Sequence, residues 1–539
     1  MLGRMTPSRA WIPLALLTIA CGGGSADPVD AGHDAMTRRR DSGTDAGPPM
    51  RTPLCDPGAE PPGPYPAPGA VPPARGPGLG ARTFTEAELG VSCAFLDAGE
   101  LDVSDHHNVA AMYDGYLLMP AAPEYGRGQI AVFDVSDPCA PELVASAFSE
   151  TMRETHSIGF SSLNGRWAVV NEMSRALTMG RGGIQFWDLS DTSAPRHAAD
   201  LEVPGFAYPD AYARVSLSVF WQVPYVYVAA ADNGIYIVDA VDPEHPVLVG
   251  QYVFEPVLRA GQVQAVGNLL VITAAEGART VLLDISDPEA PQPIPGGDFG
   301  VVDSTGEERD AYFTNLGGGY VWYARKESGG GVMVMDIHAP SAPRYAGDFR
   351  SDGNGGYVFV HEGHAFVGES RYATVYDVSD LSSIVPVRTL NLIGDLDTAM
   401  PLGNVVLLSV DDEAEDDRGS AIAPWQAEPD TRAPTVTWTW PDDGATALAP
   451  TSRIGITFSE QVDALSAFEG SVRLYREGME PDLGRVAGTV SAQESIVTFT
   501  PLCPLAPGRY VLEIPAGGVR DYAGNPITEA FTATFEVGG

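Results

Sequence analysis

Between Gly128 and Pro434 the chain repeats one pattern: an apolar run of strand type, an Asp, then a small polar turn closed by proline. The copies are GQIAVFDVSDPCAP from Gly128, GGIQFWDLSDTSAP from Gly182, NGIYIVDAVDPEHP from Asn233, ARTVLLDISDPEAP from Ala278, GGVMVMDIHAPSAP from Gly330, RYATVYDVSDLSSIVP from Arg371 and a decayed GSAIAPWQAEPDTRAP from Gly419. The aligned positions are Asp134, Asp188, Asp239, Asp284, Asp336, Asp377 and, in the seventh place, Gln426, spaced 41 to 54 residues apart. A unit that cannot bury its own faces must stack on its neighbours, and strand-patterned units of this length match four-stranded propeller blades.

The third copy shows the expected blade most clearly. An inner strand covers about 214–220, a second 225–231, a third 234–239 and an outer one 247–252, with Asp232-Asn233-Gly234 supplying the hairpin turn. Each Asp-Pro turn after the third strand is a chain reversal, because proline forbids the strand from continuing. The aspartates then serve the turn, by a side-chain hydrogen bond to nearby backbone, and not a single cation site. The seventh unit has no outer strand of its own. The pattern at 93–101, CAFLDAGEL, resembles the outer strands PELVASAF and HPVLVGQY, so an N-terminal strand is expected to close the ring and remove its edges. The fold class predicted is all-β: a seven-bladed β-propeller followed by an Ig-like β-sandwich. Pro424 and Gln426 in the seventh copy leave six blades plus an irregular closure as the alternative.

VYDVSD at Val375 and LLDISDP at Leu282 resemble the LVIVD repeat of bacterial and archaeal cell-surface proteins. That resemblance implies the architecture and no particular reaction. From about Thr435 the alternation changes to VTWTW, RIGITFSE, SVRLY, IVTFTP, YVLEIP and FTATFEV, six or seven short strands of a β-sandwich. The segments PDDGATALAPTSRIGITFSEQVD, TFTPLCPLAPGRYVLEI and VRDYAGNPI resemble the SbsA-type bacterial Ig-like domain, which implies a spacer or adhesive module in which Asp521 to Asn525 is a structural turn.

The ends of the chain add location. Arg4 and Arg9 precede an apolar stretch, 11–20, too short to span a bilayer, and the reading is an export signal over 1–20. LTIAC at Leu17 resembles the lipobox of bacterial lipoproteins, which implies lipidation at Cys21 and, with Gly22 following, an outer-membrane or cell-surface location. Residues 21–82, rich in Gly, Asp, Ala and Pro, read as a disordered, extended tether; 83–434 as the propeller; 435–539 as the sandwich. Net charge is −39, which argues against nucleic-acid partners. Cys55, Cys93, Cys139 and Cys503 are too scattered for a zinc site and allow three disulfide pairings.

Chemistry is expected on the face built by connections from outer to inner strands and from second to third strands, because these vary while the Asp-Pro turns do not. The starts of the inner strands place His106, His107, Glu154, His156, Arg214, Gln262, Glu308, Arg309, Asp310 and Asp395 to Asp397 around one mouth. A metal held by His107 and His156 would make an exported enzyme. The acidic loop with Asp411, Asp412, Asp416 and Asp417 would take Ca2+. His361 and His364 flank a turn on the opposite face and read as surface residues. No GxSxG, P-loop, HExxH or dinucleotide fingerprint stands in context, so no catalytic residue is assigned. The favoured reading is a monomeric, lipid-anchored protein or glycan interaction platform.

Overall fold

The computed structural model describes residues 52–60, 62–96, 109–121, 128–152, 155–173, 182–205, 216–326, 329–411, 413–415 and 418–538. Seven four-stranded antiparallel sheets form the propeller. In the third blade the strands are Ser218–Gln222, Tyr225–Ala229, Ile235–Asp239 and Val247–Tyr252, in that order from the axis outward. The first three are buried throughout and the outer one is half-buried or exposed at every position, which is the pattern of stacked sheets with a wet rim. Six blades carry a register shift between their third and outer strands, a bulge that increases twist and splays the rim.

The turn chemistry repeats as faithfully as the sequence does. Oδ1 of Asp134, Asp188, Asp239, Asp284, Asp336 and Asp377 each accepts the backbone N–H two residues on, at 2.7–3.1 Å. The second aspartates Asp137, Asp191, Asp242, Asp287 and Asp380 do the same one turn later. These carboxylates are scaffold.

Ring closure uses the N-terminal strand. Ala94–Phe95 pairs antiparallel with Ser420–Pro424 as the outer strand of the seventh blade, next to Val405–Val410 and Leu396–Leu402. A Cys93–Cys139 disulfide fastens it to the Asp-Pro turn of the first blade.

The second module has two four-stranded sheets. One contains Val436–Trp440, Ile454–Phe458, Ile496–Pro501 and Gly488–Gln493; the other Ala445–Leu448, Phe531–Val537, Gly508–Ile514 and Arg473–Arg476. The second sheet alternates buried and exposed positions, whereas Ile454–Phe458 is buried on both faces. The extra cover is the propeller. Two strands beyond the sequence reading, Ala445–Leu448 and Gly488–Gln493, bring the sandwich to eight. The second escapes recognition because Ser491 and Gln493 break its apolar pattern, yet both are buried.

Residues 52–82 correct the expectation of a free tether. Cys55 is disulfide-bonded to Cys503, and the Tyr65 hydroxyl donates to Leu474 O at 2.5 Å while Arg485 donates to Gly63 O and Pro64 O. Further along, Gly76 N and Gly80 N donate to Asp114 O and Val135 O of the first blade. A Cβ on Gly80 would lie 1.8 Å from Ser136 O, so only glycine permits that approach. Proline-rich chain stays extended, and extended chain offers its backbone groups to whatever surface it lies along. Residues 1–51, with the signal and Cys21, lie outside the described residues.

Candidate functional site

Two ends of the propeller axis define what the molecule can present. The end carrying the turns between first and second strands is occupied by the sandwich, which therefore is not a free spacer. Gly318 N donates to Thr457 Oγ1, Glu362 N to Ser459 O and Arg453 N to Asn268 Oδ1, at 2.8–3.1 Å. Gln493 bridges the inner strand of the third blade, accepting from Trp221 N at 3.0 Å and donating to Val219 O at 2.9 Å. Backbone meets backbone at Gly267, where a Cβ on Gly455 would lie 2.1 Å from the amide nitrogen.

At the axis itself the hairpin joining Gly488–Gln493 to Ile496–Pro501 acts as a plug. Its tip, Glu494, accepts from Gln264 Nε2 at 2.5 Å and Asn315 Nδ2 at 3.0 Å, on the inner strands of the fourth and fifth blades. Beside it a cavity of about 20 Å³ is lined by Met112, Phe160, Phe359 and Met400 of other blades and by Tyr522. Burial pushes the Glu494 carboxyl up to about 7, against the pull of its two amide donors.

A pH dependence follows with a definite sign. Because the folded value lies above the unfolded one of about 4.3, the stability tied to this proton is present below pH ~4 and lost as pH rises to ~7. Glu494→Gln keeps an acceptor oxygen and removes the titration. The variant is expected to match the wild type near pH 4 and to exceed it above pH 7 by on the order of 3 kcal/mol in urea unfolding. Parallel pH profiles for the two proteins would refute this.

The opposite, variable end carries charge. Lys326 Nζ lies 3.9 Å from the Tyr312 ring centre and 3.5 Å from Glu276 Oε1, whose other oxygen pairs with Arg259 at 3.1 Å. Asp397, at the start of the seventh inner strand, is 3 % exposed. Burial, then repulsion from Asp411 and Asp395, holds its carboxyl well above the usual range, with Lys326 relieving part of the effect. Beneath this group His156 packs edge-on against Phe313 at 5.0 Å, and Phe313 stacks on Tyr357 at 4.2 Å. Rings from the second, fifth and sixth blades thus fill the channel between mouth and plug.

Of the residues expected at the mouth, His106, His107, Glu154, Arg214, Asp412, Asp416 and Asp417 lie outside the described residues. His156 is buried among aromatic rings, and its backbone N–H donates to Asn171 Oδ1. Arg309 turns back onto its own connection, with Nε 2.6 Å from Asp303 Oδ2 and Nη2 against Glu307, while Glu308 is exposed and Asp310 O accepts from Lys326 N. Asp411 donates its N–H to Asp395 O, which brings the seventh blade's acids together. Lys326, Tyr312 and Glu276 were not singled out as site residues. The available signal was positional: each stands where a mouth connection meets a strand.

His361 corrects a second expectation. It lies on the predicted face but is buried, because the sandwich covers it. Asp521 bears out the turn reading, accepting from Asn525 N at 2.7 Å and Asn525 Nδ2 at 2.8 Å.

Comparison with known proteins agrees with these modules. The family model for a bacterial Ig-like domain matches residues 430–537, and that for the LVIVD repeat matches 224–253 and 352–391. No curated protein matches the chain. Among solved structures, the Cps50 (Swd1) β-propeller domain of Myceliophteria thermophila is 11 % identical, covering 60 % of this chain and 98 % of its own, with a TM-score of 0.43. BamB from Moraxella catarrhalis is 12 % identical over 61 % of this chain and 99 % of its own, TM-score 0.39. The periplasmic gluconolactonase of Pseudomonas aeruginosa is 10 % identical over 55 % of this chain and 87 % of its own, TM-score 0.45. The chain is thus a seven-bladed β-propeller carrying LVIVD repeats, joined to a C-terminal bacterial Ig-like domain.

Proposed function

We propose that this is a lipid-anchored surface protein that binds a protein or glycan partner at the variable mouth of its propeller. The observation that supports the reading most is the division of labour between the two faces. The Ig-like domain and the 52–82 strap occupy the stereotyped face, and its hairpin plugs the axis there. On the other face Lys326 lies over the Tyr312 ring and pairs with Glu276, which also holds Arg259, and the acids Asp395, Asp397 and Asp411 repel one another within reach of Lys326. Alternating acids and cations beside an aromatic ring suit a polyhydroxylated or charged ligand, which takes hydrogen bonds from the rim and stacks on the ring. Export and anchoring at Cys21 would carry this mouth to the cell exterior.

The test compares wild type with Lys326→Ala and Asp397→Asn on a glycan array and by crosslinking on intact cells. Burial and repulsion from Asp411 and Asp395 raise the Asp397 carboxyl well above its ordinary range, and asparagine keeps its shape without the charge. Leu483→Asp, on the exposed surface of the Ig-like domain, is the control. The mouth variants are expected to lose at least about tenfold in binding while Leu483→Asp does not. Cys21→Ser is expected to move the signal from cells to medium. Binding that survives both mouth variants, or falls with Leu483→Asp, would place the contact elsewhere.

A further inference from the structure

The seam between the sixth blade, the linker and the Ig-like domain holds a second constellation. His361 and Glu362 come from the turn between the first two strands of the sixth blade, Asp430 from the linker, and Glu460 and Asp521 from the Ig-like domain. Their ligand atoms form two overlapping groups, His361 with Glu362 and Asp430, and Asp430 with Glu460 and Asp521. The side chains of His361, Glu362, Asp430 and Glu460 are 4, 7, 1 and 1 % exposed. Four carboxylates and an imidazole have one arginine among them: half-exposed Arg432, whose Nη2 lies against Glu362 Oε2 and whose Nε is 4.0 Å from Asp430 Oδ1.

Crowded acid is not a site by itself, and the hydrogen bonding separates the two groups. Asp521 spends both oxygens on Asn525, so the second group is already satisfied as a turn. In the first group, by contrast, His361 Nε2 and Asp430 Oδ2 are buried with no hydrogen-bond partner, while Glu362 Oε2 beside them faces only the half-exposed Arg432. Buried polar atoms are otherwise almost always paired, and here two orphans converge. His361 Nε2 stands 3.5 Å from Asp430 Oδ2 and 3.7 Å from Glu362 Oε2. These separations are long for hydrogen bonds. They suit donors sharing one ion, since two bonds of about 2.1 Å at a tetrahedral angle place their donors roughly 3.4 Å apart. The other ring nitrogen, Nδ1, faces Glu460 Oε2 at 3.5 Å, the position of a carboxylate that orients a metal-bound imidazole.

We propose that His361 Nε2, Glu362 Oε2 and Asp430 Oδ2 hold a divalent transition-metal ion of the zinc type, with Glu460 behind the imidazole, and that this ion fastens the Ig-like domain to the propeller. One imidazole with carboxylates selects such an ion over calcium, which prefers an all-oxygen shell. The role is structural, because Asp430, where the match to the Ig-like domain begins, shares the ion with two residues of the sixth blade. It is independent of the mouth on the opposite face.

The experiment uses the full chain stripped with a chelator. Titration with Zn2+ by calorimetry is expected to show one equivalent bound and a raised melting temperature, and Co2+ in its place to give the visible bands of a nitrogen and oxygen site. His361→Asn and Asp430→Asn are expected to abolish uptake, and Glu460→Gln to weaken it by about 10–100-fold. Glu362→Gln, at the less buried ligand, guards against misfolding of the other variants, each of which is checked by circular dichroism. Absence of a Zn2+ equivalent in the wild type, or uptake retained by folded His361→Asn, overturns the proposal. So does preference for Ca2+ undiminished in His361→Asn, which would move the ion to the Asp430, Glu460 and Asp521 group.

Discussion

Gly455→Val is expected to lift the Ig-like domain off the propeller. The nearest atoms to a Cβ at this position are Gly267 N at 2.1 Å, Val266 C at 2.5 Å and Val266 Cγ1 at 2.5 Å, all from the fourth blade. Two of the three are backbone and cannot swing aside. Gly267 itself has φ 55°, and a Cβ there would meet Trp440 O at 2.2 Å, so the approach is glycine against glycine. No atom of the Ig-like core is among those nearest contacts, and the strand Ile454–Phe458 keeps its own partners. The steric cost falls on the interface, on the order of 3–5 kcal/mol, in the range of severe overpacking. Scanning calorimetry checks it: one cooperative transition in the wild type, two separable ones in the variant. A variant that still melts as one unit would show that docking does not depend on this contact.

Replacing Cys93 and Cys139 together by serine is expected to open the ring. The closing strand has only two register pairs, Ala94 with Ile422 and Phe95 with Ala421, extended by Cys93 N to Ile422 O and Leu96 N to Ser420 O. So short a strand makes few bonds of its own, and the chain before it adds Phe84 N to Ala427 O and Gly90 N to Pro424 O. The disulfide spans a sequence separation of 46, and constraining such a loop in the unfolded chain contributes about 4 kcal/mol in the chain-entropy model. Its loss also frees the edge of Ser420–Pro424, a ready template for pairing with another chain. Urea unfolding is expected to show a drop of about 3–4 kcal/mol, and gel filtration a shift to dimers or larger species. A double-serine protein that remains monomeric and equally stable would mean that the strand alone closes the ring.

What could be read from the sequence divides along physical lines. The repeated Asp and the proline after it encode their turn locally, through bonds between residues two apart, so the blades and the reversal face were legible. The closing strand was legible because a ring with one strand missing must recruit it, and 93–101 carried the outer-strand pattern. The seam was not. His361 ends an ordinary apolar strand, Val358–His361, and only the docked sandwich makes it a buried residue. Gly488–Gln493 is polar where the propeller covers it, and Gln493 is satisfied by Trp221 and Val219, 272 and 274 residues away in sequence. One signal was present unread: the sheet facing the propeller carries Thr439, Thr457, Thr498 and Thr500, all buried, where a solvent-facing sheet would carry charge. The mouth was half legible. Inner-strand starts place charged residues at one end of the axis, but the pairing of Lys326 with Glu276 and Tyr312 crosses between blades and leaves no periodic trace.

The central claim is that the Ig-like domain is a fixed cap on one face of the propeller, leaving the other for binding. Hydrogen exchange of the intact protein tests it most directly, at amides whose acceptors lie across the seam: Trp221, Gly318, Glu362 and Arg453. The cap predicts that all four exchange slowly and are released together with the blades in global unfolding. Fast exchange at Gly318, Glu362 and Arg453, while the blade strands stay protected, would contradict it and return the Ig-like domain to the role of a spacer.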